Sequence, residues 1–211
     1  METLNYMLQN SPRILELTAQ HLELALIAVL YALVAGVPVG VLISRYRRLV
    51  DPVLWVVNSF QTIPALAFVG FVMIFLGLSR ETGITVLFFY CLMPIIRNTY
   101  TGITNVDSAL IEVAQGMGMT RWQILRMVQF PLALSVILVG VRLALVIAIG
   151  TASIMSLAGA GGLGQLIFAG IDRVQNKMIL AGALPAAFLA VVAEVGIGYL
   201  ERFFIPRGLR V

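Results

Sequence analysis

The sequence contains very little charge. Only 11% of its 211 residues are charged, whereas soluble domains average roughly 25%, and 60% are hydrophobic, with a mean hydropathy of +0.99. This number of charged residues is too small to cover the surface of a soluble protein. The composition therefore predicts a polytopic membrane protein. Lysine is nearly absent, because Lys177 is the sole lysine. The basic residues are dispersed among apolar runs, which argues against nucleic acid as a partner.

Cysteine and histidine are each present once. A single cysteine excludes an intrachain disulfide, and Cys91 lies in an apolar run that predicts a buried small residue. With one histidine and no Cys/His cluster, a metal site is not expected. We expect His21 to be an interfacial residue at the start of the first membrane span.

The chain also lacks the G-x-x-x-x-G-K-[ST] loop that binds nucleotide phosphates. It therefore cannot be its own ATPase, and we predict no catalytic residue and no cofactor within it. Residues 159–164, GAGGLG, match G-x-G-x-x-G but follow a run long enough to cross a bilayer, with no room for a βαβ unit. We expect a flexible extracytoplasmic turn there, with a substrate gate as its candidate role.

Apolar runs predict an all-α fold with five transmembrane helices, since a span needs about 20 apolar residues. The predicted spans are 22–43, 52–78, 82–100, 132–157 and 177–204. An extracytoplasmic segment, 1–17, precedes the membrane domain of 18–204, and a cytoplasmic tail, 205–211, follows it. In the first span, Gly36 and Gly40 have the G-x-x-x-G spacing that permits close helix packing.

Arginines collect on one side of this arrangement. That side carries Arg45, Arg47, Arg48, Arg121, Arg126, Arg202, Arg207 and Arg210. The other carries fewer basic residues, namely Arg13, Arg80, Arg173 and Lys177. The positive-inside rule makes the richer side cytoplasmic. We therefore expect the N-terminus outside and the C-terminus in the cytoplasm.

A polar insert, 105–131, separates the third and fourth spans on the cytoplasmic side. Asp107 or Ser108 can cap a first helix, and Thr120 with Gln123 forms a capping box that starts a second. Glycines at 116 and 118 permit a turn between them. We expect Glu112, Arg121 and Arg126 to face outward. Its apolar residues are expected to pack against the membrane domain: Leu110, Ile111, Met117, Trp122, Ile124, Leu125 and Val128.

The insert resembles the EAA motif of binding-protein-dependent ABC importer permeases. That pattern, E-A-A-x-x-x-G followed after nine residues by I-x-L-P, stands here as Glu112-Val113-Ala114, Gly118 and 128–131, VQFP. Val113, Val128 and Phe130 depart from it conservatively. The segments FFYCLMPIIRNTYTGI and GAGGLGQLIFAGI are similar to permeases that import glycine betaine, carnitine or choline. The resemblance covers roughly residues 18–204.

The resemblance implies a type I ABC importer permease in the prokaryotic plasma membrane. Its implied partners are two ATP-binding subunits, a second permease copy that is identical or paralogous, an extracytoplasmic substrate-binding protein and membrane lipid. ATP and Mg would be bound by the ATPase subunits. The loop would dock on an ATPase and couple hydrolysis to transport. The residues implied in that coupling are Glu112, Ala114, Gly118, Arg121 and Pro131.

Polar residues inside the spans suggest a path for a solute. In the second span they precede Pro64, which is expected to kink or break the helix. Such residues line transporter cavities or hydrogen-bond between helices, and both interpretations stay open. The candidate pathway residues are Asn58, Ser59, Gln61, Thr62, Thr151, Ser153 and Ser156.

Two charges lie at membrane depth, Arg142 and Glu194. Charges there are costly and usually paired, so we hypothesise an interhelical ion pair, with a structural or a gating role. The cargo is a quaternary-ammonium osmoprotectant by resemblance. Methionine or another small polar solute is the alternative, and a membrane scaffold without transport is a second alternative.

Overall fold

The computed structural model describes residues 2–204, with side chains to residue 199, and its secondary structure in that range is entirely helical. The predicted all-α class is therefore confirmed, and the predicted tail, 205–211, lies outside the described residues. The helices are α1 Glu2–Gln9, α2 Ser11–Arg45, α3 Val50–Thr62, α4 Ala65–Leu76, α5 Arg80–Thr104, α6 Ser108–Gly116, α7 Arg121–Ile124, α8 Phe130–Met155, α9 Gly164–Asp172 and α10 Asn176–Phe204.

Four helical segments in the described range are long and apolar enough to cross a membrane: Ser11–Arg45, Arg80–Thr104, Arg121–Ala158 and Asn176–Tyr199. They contain the first, third and fourth predicted spans and most of the fifth. The 35 residues of α2 extend over roughly 50 Å, more than the hydrocarbon core of about 30 Å. Because α2 starts at Ser11, it passes without interruption through the predicted boundary at residues 17 and 18.

The second predicted span is broken into two helices. α3 ends at Thr62, and Ile63 and Pro64 are extended, with ψ of 127° and 132°, before α4 begins. The axes of Arg47–Thr62 and Ala65–Leu76 are bent by 101°. Proline cannot continue a helical hydrogen-bond ladder and disfavours the helical conformation of the residue before it. The expected break at Pro64 is thus confirmed.

Contacts between α2 and α5 show that the broken pair crosses the bundle once. Glu23 pairs with Arg80 at one end, with N and O 2.7 Å apart, while Gly40 meets Thr99 at the other. The two helices therefore run parallel. Because the chain must return between Arg45 and Arg80, α3 and α4 together carry it back across, as a single broken span.

α5 lies at the centre of the bundle, in contact with α2, α3, α4 and α8. A Cβ atom added to Gly36 would lie 2.9 Å from Ile95 Cγ2, and one added to Gly40 would lie 2.6 Å from Thr99 Cβ. Only glycine permits this approach, so the close packing predicted from the G-x-x-x-G spacing is confirmed. Cys91 is fully buried here, as predicted, and its thiol donates to the Ala144 carbonyl at 3.4 Å.

Candidate coupling site and translocation pathway

The polar insert forms two short helices, α6 and α7, joined by a turn. Asp107 caps α6, because its Oδ1 accepts a hydrogen bond from the Ala109 backbone N–H at 2.9 Å. Thr120 and Gln123 form the predicted capping box at α7, in which Gln123 Oε1 accepts from the Thr120 N–H at 2.7 Å. The helix, turn and helix expected from local capping signals are therefore present.

Gly118 makes the turn possible. Its φ is 80°, in the left-handed region that glycine adopts without the strain a Cβ brings, and no atom lies within 4 Å of the position a Cβ would take. The Met119 N–H then bonds to the Ala114 carbonyl at 3.1 Å and closes the end of α6. Gly118 is thus fixed by backbone geometry and leaves the tip of the turn bare.

The insert is anchored to the membrane helices at its α7 side. At the α7 side, the Arg45 guanidinium donates to the Arg121 carbonyl at 2.8 Å and ties the insert to the end of α2. A π-helical turn, Leu125–Gln129, then leads into α8, where Pro131 stands in the first turn and is exposed. The helix runs on from α7 through this turn, so Pro131 removes one backbone donor from the continuous helical segment Arg121–Ala158.

The coupling candidates divide into one buried and four exposed residues. Ala114 is 1% exposed and packs inward, whereas Glu112, Gly118, Arg121 and Pro131 are exposed. This matches the outward orientation predicted for Glu112 and Arg121. A small buried residue beneath an exposed acid and an exposed glycine turn suits a surface that a second protein approaches closely.

The exposure of the apolar residues differs from the prediction. Ile124 and Leu125 are buried as expected, but Leu110, Met117 and Trp122 are 46%, 69% and 66% exposed. Val113 is also exposed, at 61%, and shares one face of α6 with Met117 because the two are four residues apart. We call this face, with Glu112 and Gly118 beside it, the coupling face. Its apolar exposure is what an unoccupied docking surface presents.

The polar residues of α3 bond mostly within their own helix. The Ser59 hydroxyl donates to the Trp55 carbonyl at 2.9 Å, and the Thr62 hydroxyl donates to the Ser59 carbonyl at 2.8 Å. Asn58 is exposed. These contacts satisfy hydroxyls locally, so they leave the choice between pathway and packing open for Ser59 and Thr62.

Gln61 has a different partner, on α5. Its amide donates to the Tyr90 carbonyl at 2.9 Å, and the Tyr90 hydroxyl donates to the carbonyl of Ile63. The break between α3 and α4 is therefore held to α5 by two hydrogen bonds, both with Tyr90. Tyr90 is a residue that sequence reasoning did not connect with the break, because the contact spans 27 positions.

The candidates Ser153, in α8, and Ser156, in the 3₁₀ turn that follows it, pack against the start of α9. The Ser156 hydroxyl donates to the Ser153 carbonyl at 2.9 Å, and a Cβ added to Gly164 would lie only 1.9 Å from that carbonyl oxygen. Thr151 is half-buried on the same helix. Ser153 and Ser156 thus lie against Gly164, whereas Gln61 of α3 contacts α5, so the two groups make different contacts.

The segment of residues 159–164 is closely packed instead of forming the flexible turn we expected. Gly159, Gly161 and Gly162 have φ of 77°, 87° and 84°, and the Gly162 N–H donates to Gln20 Oε1 at 3.2 Å. His21 lies under Gly162, fully buried, with Nε2 2.9 Å from the Ile149 carbonyl. The predicted interfacial position of His21 is therefore wrong.

Arg142 and Glu194 lie on α8 and α10, which pack side by side. Arg142 is half-buried and Glu194 is exposed. Among residues 2–199, the side-chain ion pairs join Arg13 to Glu16 and Arg80 to Glu23. The hypothesised ion pair between Arg142 and Glu194 is not one of these two. That pair, with its structural or gating role, stays a prediction.

Comparison with known proteins identifies the family. Residues 19–207 match the binding-protein-dependent transport system inner membrane component. The chain is 48% identical over 202 residues to the glycine betaine/carnitine/choline transport system permease protein OpuCD of Bacillus subtilis (strain 168), covering 95% of this chain and 88% of that one. It is 41% identical over 215 residues to the osmoprotectant import permease protein OsmW of Salmonella typhimurium, covering 100% of both.

Solved structures show the same fold. A chain of the MetNI methionine ABC transporter, in an inward-facing conformation, superposes with a TM-score of 0.81 over 92% of this chain and 96% of that chain. Its identity of 22% makes this a likeness of fold. The broken span and the capped α6–α7 loop thus belong to a type I ABC importer permease fold. The chain is a member of the binding-protein-dependent transport system inner membrane component family.

Proposed function

We propose that this chain is the permease through which a small quaternary-ammonium osmoprotectant (glycine betaine, carnitine or choline) enters the cell. The observation that carries the proposal is 48% identity over 95% of the chain to a permease named for those three solutes. A second relative, matched over its full length, is named for osmoprotectant import. The likeness to MetNI concerns the fold and does not favour methionine as cargo.

The proposed partners are two ATP-binding subunits, a second permease and an extracytoplasmic binding protein. ATP and Mg would be bound by the ATP-binding subunits. The coupling face supports this arrangement, because exposed Val113 and Met117 lie beside Glu112 on a helix that ends at the bare turn of Gly118. Exposed apolar side chains and a single charge are suited to a cleft on an ATP-binding subunit that closes around the turn.

The aromatic residues near the span break are packed against one another. Phe60 and Phe89 have ring centroids 4.5 Å apart, and Phe68 lies 5.8 Å from Phe60 and 6.0 Å from Tyr90. A cation held by aromatic rings needs an open ring face. We assign selection of the quaternary amine to the external binding protein. The pathway candidates in this chain remain Asn58, Ser59, Gln61, Thr62, Thr151, Ser153 and Ser156.

Uptake measurements test the cargo. The chain would be expressed with its partner subunits in cells that lack osmoprotectant uptake, and import of radiolabelled glycine betaine, carnitine, choline and methionine would be followed at high osmolality. We expect ATP-dependent import of at least one quaternary amine and no import of methionine. Import of methionine and of no quaternary amine would show instead that the chain is a methionine permease.

Copurification separates transport from the scaffold alternative. A tagged permease is expected to bring down its ATP-binding subunit in a stable ratio. A chain that recovers no ATPase and supports no uptake would be a scaffold instead. Both measurements use the assembled transporter, so a negative cargo result with intact assembly would still identify the class of protein.

A further inference from the structure

A groove of about 1020 Å³ lies between the arginine-rich end of α2 and the insert. Its floor is apolar and comes from α2 and the start of α8. The lining includes Pro38, Leu42, Arg45, Trp122, Arg126 and Phe130. Pro38 and Leu42 are exposed on the membrane-spanning part of α2, so the floor continues toward the hydrocarbon region.

The charge of the groove is of one sign. Arg45, Arg121 and Arg126 line it, and no acidic side chain is among the described residues that do so. All three arginines are exposed, and Arg45 is held at the rim by its bond to the Arg121 carbonyl. Such a rim attracts an anion, and two glutamines of the lining, Gln115 and Gln129, can donate further hydrogen bonds to it.

The groove is separate from the coupling face. Ile111 and Gln115, which line the groove, are four residues apart and share one face of α6. Val113 is two residues from Ile111, and therefore about 200° around the helix. A molecule in the groove and an ATPase on the coupling face could accordingly bind α6 at the same time.

We propose that the groove binds an anionic phospholipid, with the headgroup phosphate among the three arginines and an acyl chain along Pro38 and Leu42. Basic pockets between transmembrane helices bind anionic headgroups, and a basic residue near an anionic membrane surface adds about fivefold in affinity. Trp122 and Tyr46 line the groove with amphipathic rings of the kind found at membrane interfaces. The lipid would join α2 to the insert and stabilise its position.

Quenching of Trp122 fluorescence tests the site directly. Trp55 and Trp122 are the two tryptophans, so Trp55→Phe leaves Trp122 as the only reporter. The full-length variant in phosphatidylcholine nanodiscs would receive small amounts of brominated phosphatidylglycerol or brominated phosphatidylcholine. We expect stronger quenching by the anionic lipid. Equal quenching by the two lipids would overturn the proposal. This comparison keeps all three arginines of the groove in place.

Two pairs of substitutions separate the groove from general surface attraction. In the Trp55→Phe background, Arg45→Gln with Arg126→Gln should weaken the preference for the anionic lipid at least tenfold. Arg47→Gln with Arg48→Gln removes the same charge from the neighbouring 3₁₀ turn, outside the groove lining, and should leave most of the preference. An equal loss in both pairs would show unspecific attraction and refute the site.

Native mass spectrometry extends the test to the transporter purified with its ATPase subunits. Titration with phosphatidylglycerol should load fewer lipids on the Arg45→Gln/Arg126→Gln transporter than on the Arg47→Gln/Arg48→Gln transporter. Identical loading would mean that a partner subunit covers the groove, and would overturn the proposal. Failure of the proposed cargo would leave both lipid measurements unaffected, so the two conclusions can be judged separately.

Discussion

Gly164 has the least room for a side chain of any glycine in the described chain. A Cβ there would lie 1.9 Å from the Ser153 carbonyl oxygen and 2.5 Å from the Ser156 hydroxyl. Both neighbours belong to the end of α8 and the turn after it, so neither is the flexible tip of a long side chain. The start of α9 can approach α8 only because this residue is glycine.

Gly164→Ala is therefore expected to destabilise the protein by about 1–3 kcal/mol, the usual cost of forcing an extra carbon into a packed site. Gly150→Ala is the matched control, since Gly150 lies in α8 with nothing within 4 Å of its Cβ position. Thermal unfolding of the purified transporter would measure both. A Tm for Gly164→Ala equal to that of Gly150→Ala would contradict the packing described.

At the scale of elements, the α3–α4 break depends on a hydrogen bond from outside the broken span. Tyr90→Phe removes the donor to the Ile63 carbonyl and leaves that carbonyl without this partner, at a cost of about 1–3 kcal/mol. We expect faster hydrogen exchange at the start of α4, measured by mass spectrometry. Tyr31→Phe, on the exposed side of α2, is the control and should leave that exchange unchanged.

The insert is the second element with a testable role. Glu112→Lys reverses the one charge of the coupling face, and Gly118→Asp places a side chain on its bare turn at a positive φ. We expect at least tenfold lower uptake while ATP hydrolysis continues, because the docking contacts are lost and the ATPase site is untouched. Glu2→Lys makes the same charge reversal in α1, far along the chain, as a control.

Uptake and ATP hydrolysis would be measured together in proteoliposomes, with assembly checked by copurification. If both variants assemble normally and transport at the rate of the unmodified protein, the face is not the coupling surface. Loss of assembly with no change in hydrolysis per assembled complex would place the two residues in docking alone.

Sequence reasoning succeeded at these elements where the signal is local. Asp107, Thr120 and Gln123 cap helices through bonds to near neighbours, and Pro64 acts on its own backbone. It failed for Met117 because a docking face and a packing face use the same apolar side chains. It failed for Trp122 because that side chain lines the groove and stays exposed. It failed for His21 because burial there comes from Gly162, far away in the chain, which leaves space for the imidazole.

For the whole molecule, the parallel α2 and α5 and the single crossing of α3–α4 require that the two ends of the bundle face opposite sides of the membrane. One end carries Arg45 and Arg48, and the other carries the α9–α10 turn with Val174, which is 87% exposed. We propose that the arginine-rich end is cytoplasmic, as the positive-inside rule predicts. The contacts within the protein do not decide which of the two ends is cytoplasmic.

Cysteine labelling tests it without further engineering, because the single native cysteine, Cys91, is 0% exposed and should not react with a membrane-impermeant maleimide. Val174→Cys is expected to label in intact cells. Arg48→Cys, in the exposed 3₁₀ turn after α2, should label only after the membrane is permeabilised. The reverse pattern would place the insert outside, where no cytoplasmic ATPase could reach it, and would remove the coupling role of Glu112 and Gly118 together with the orientation.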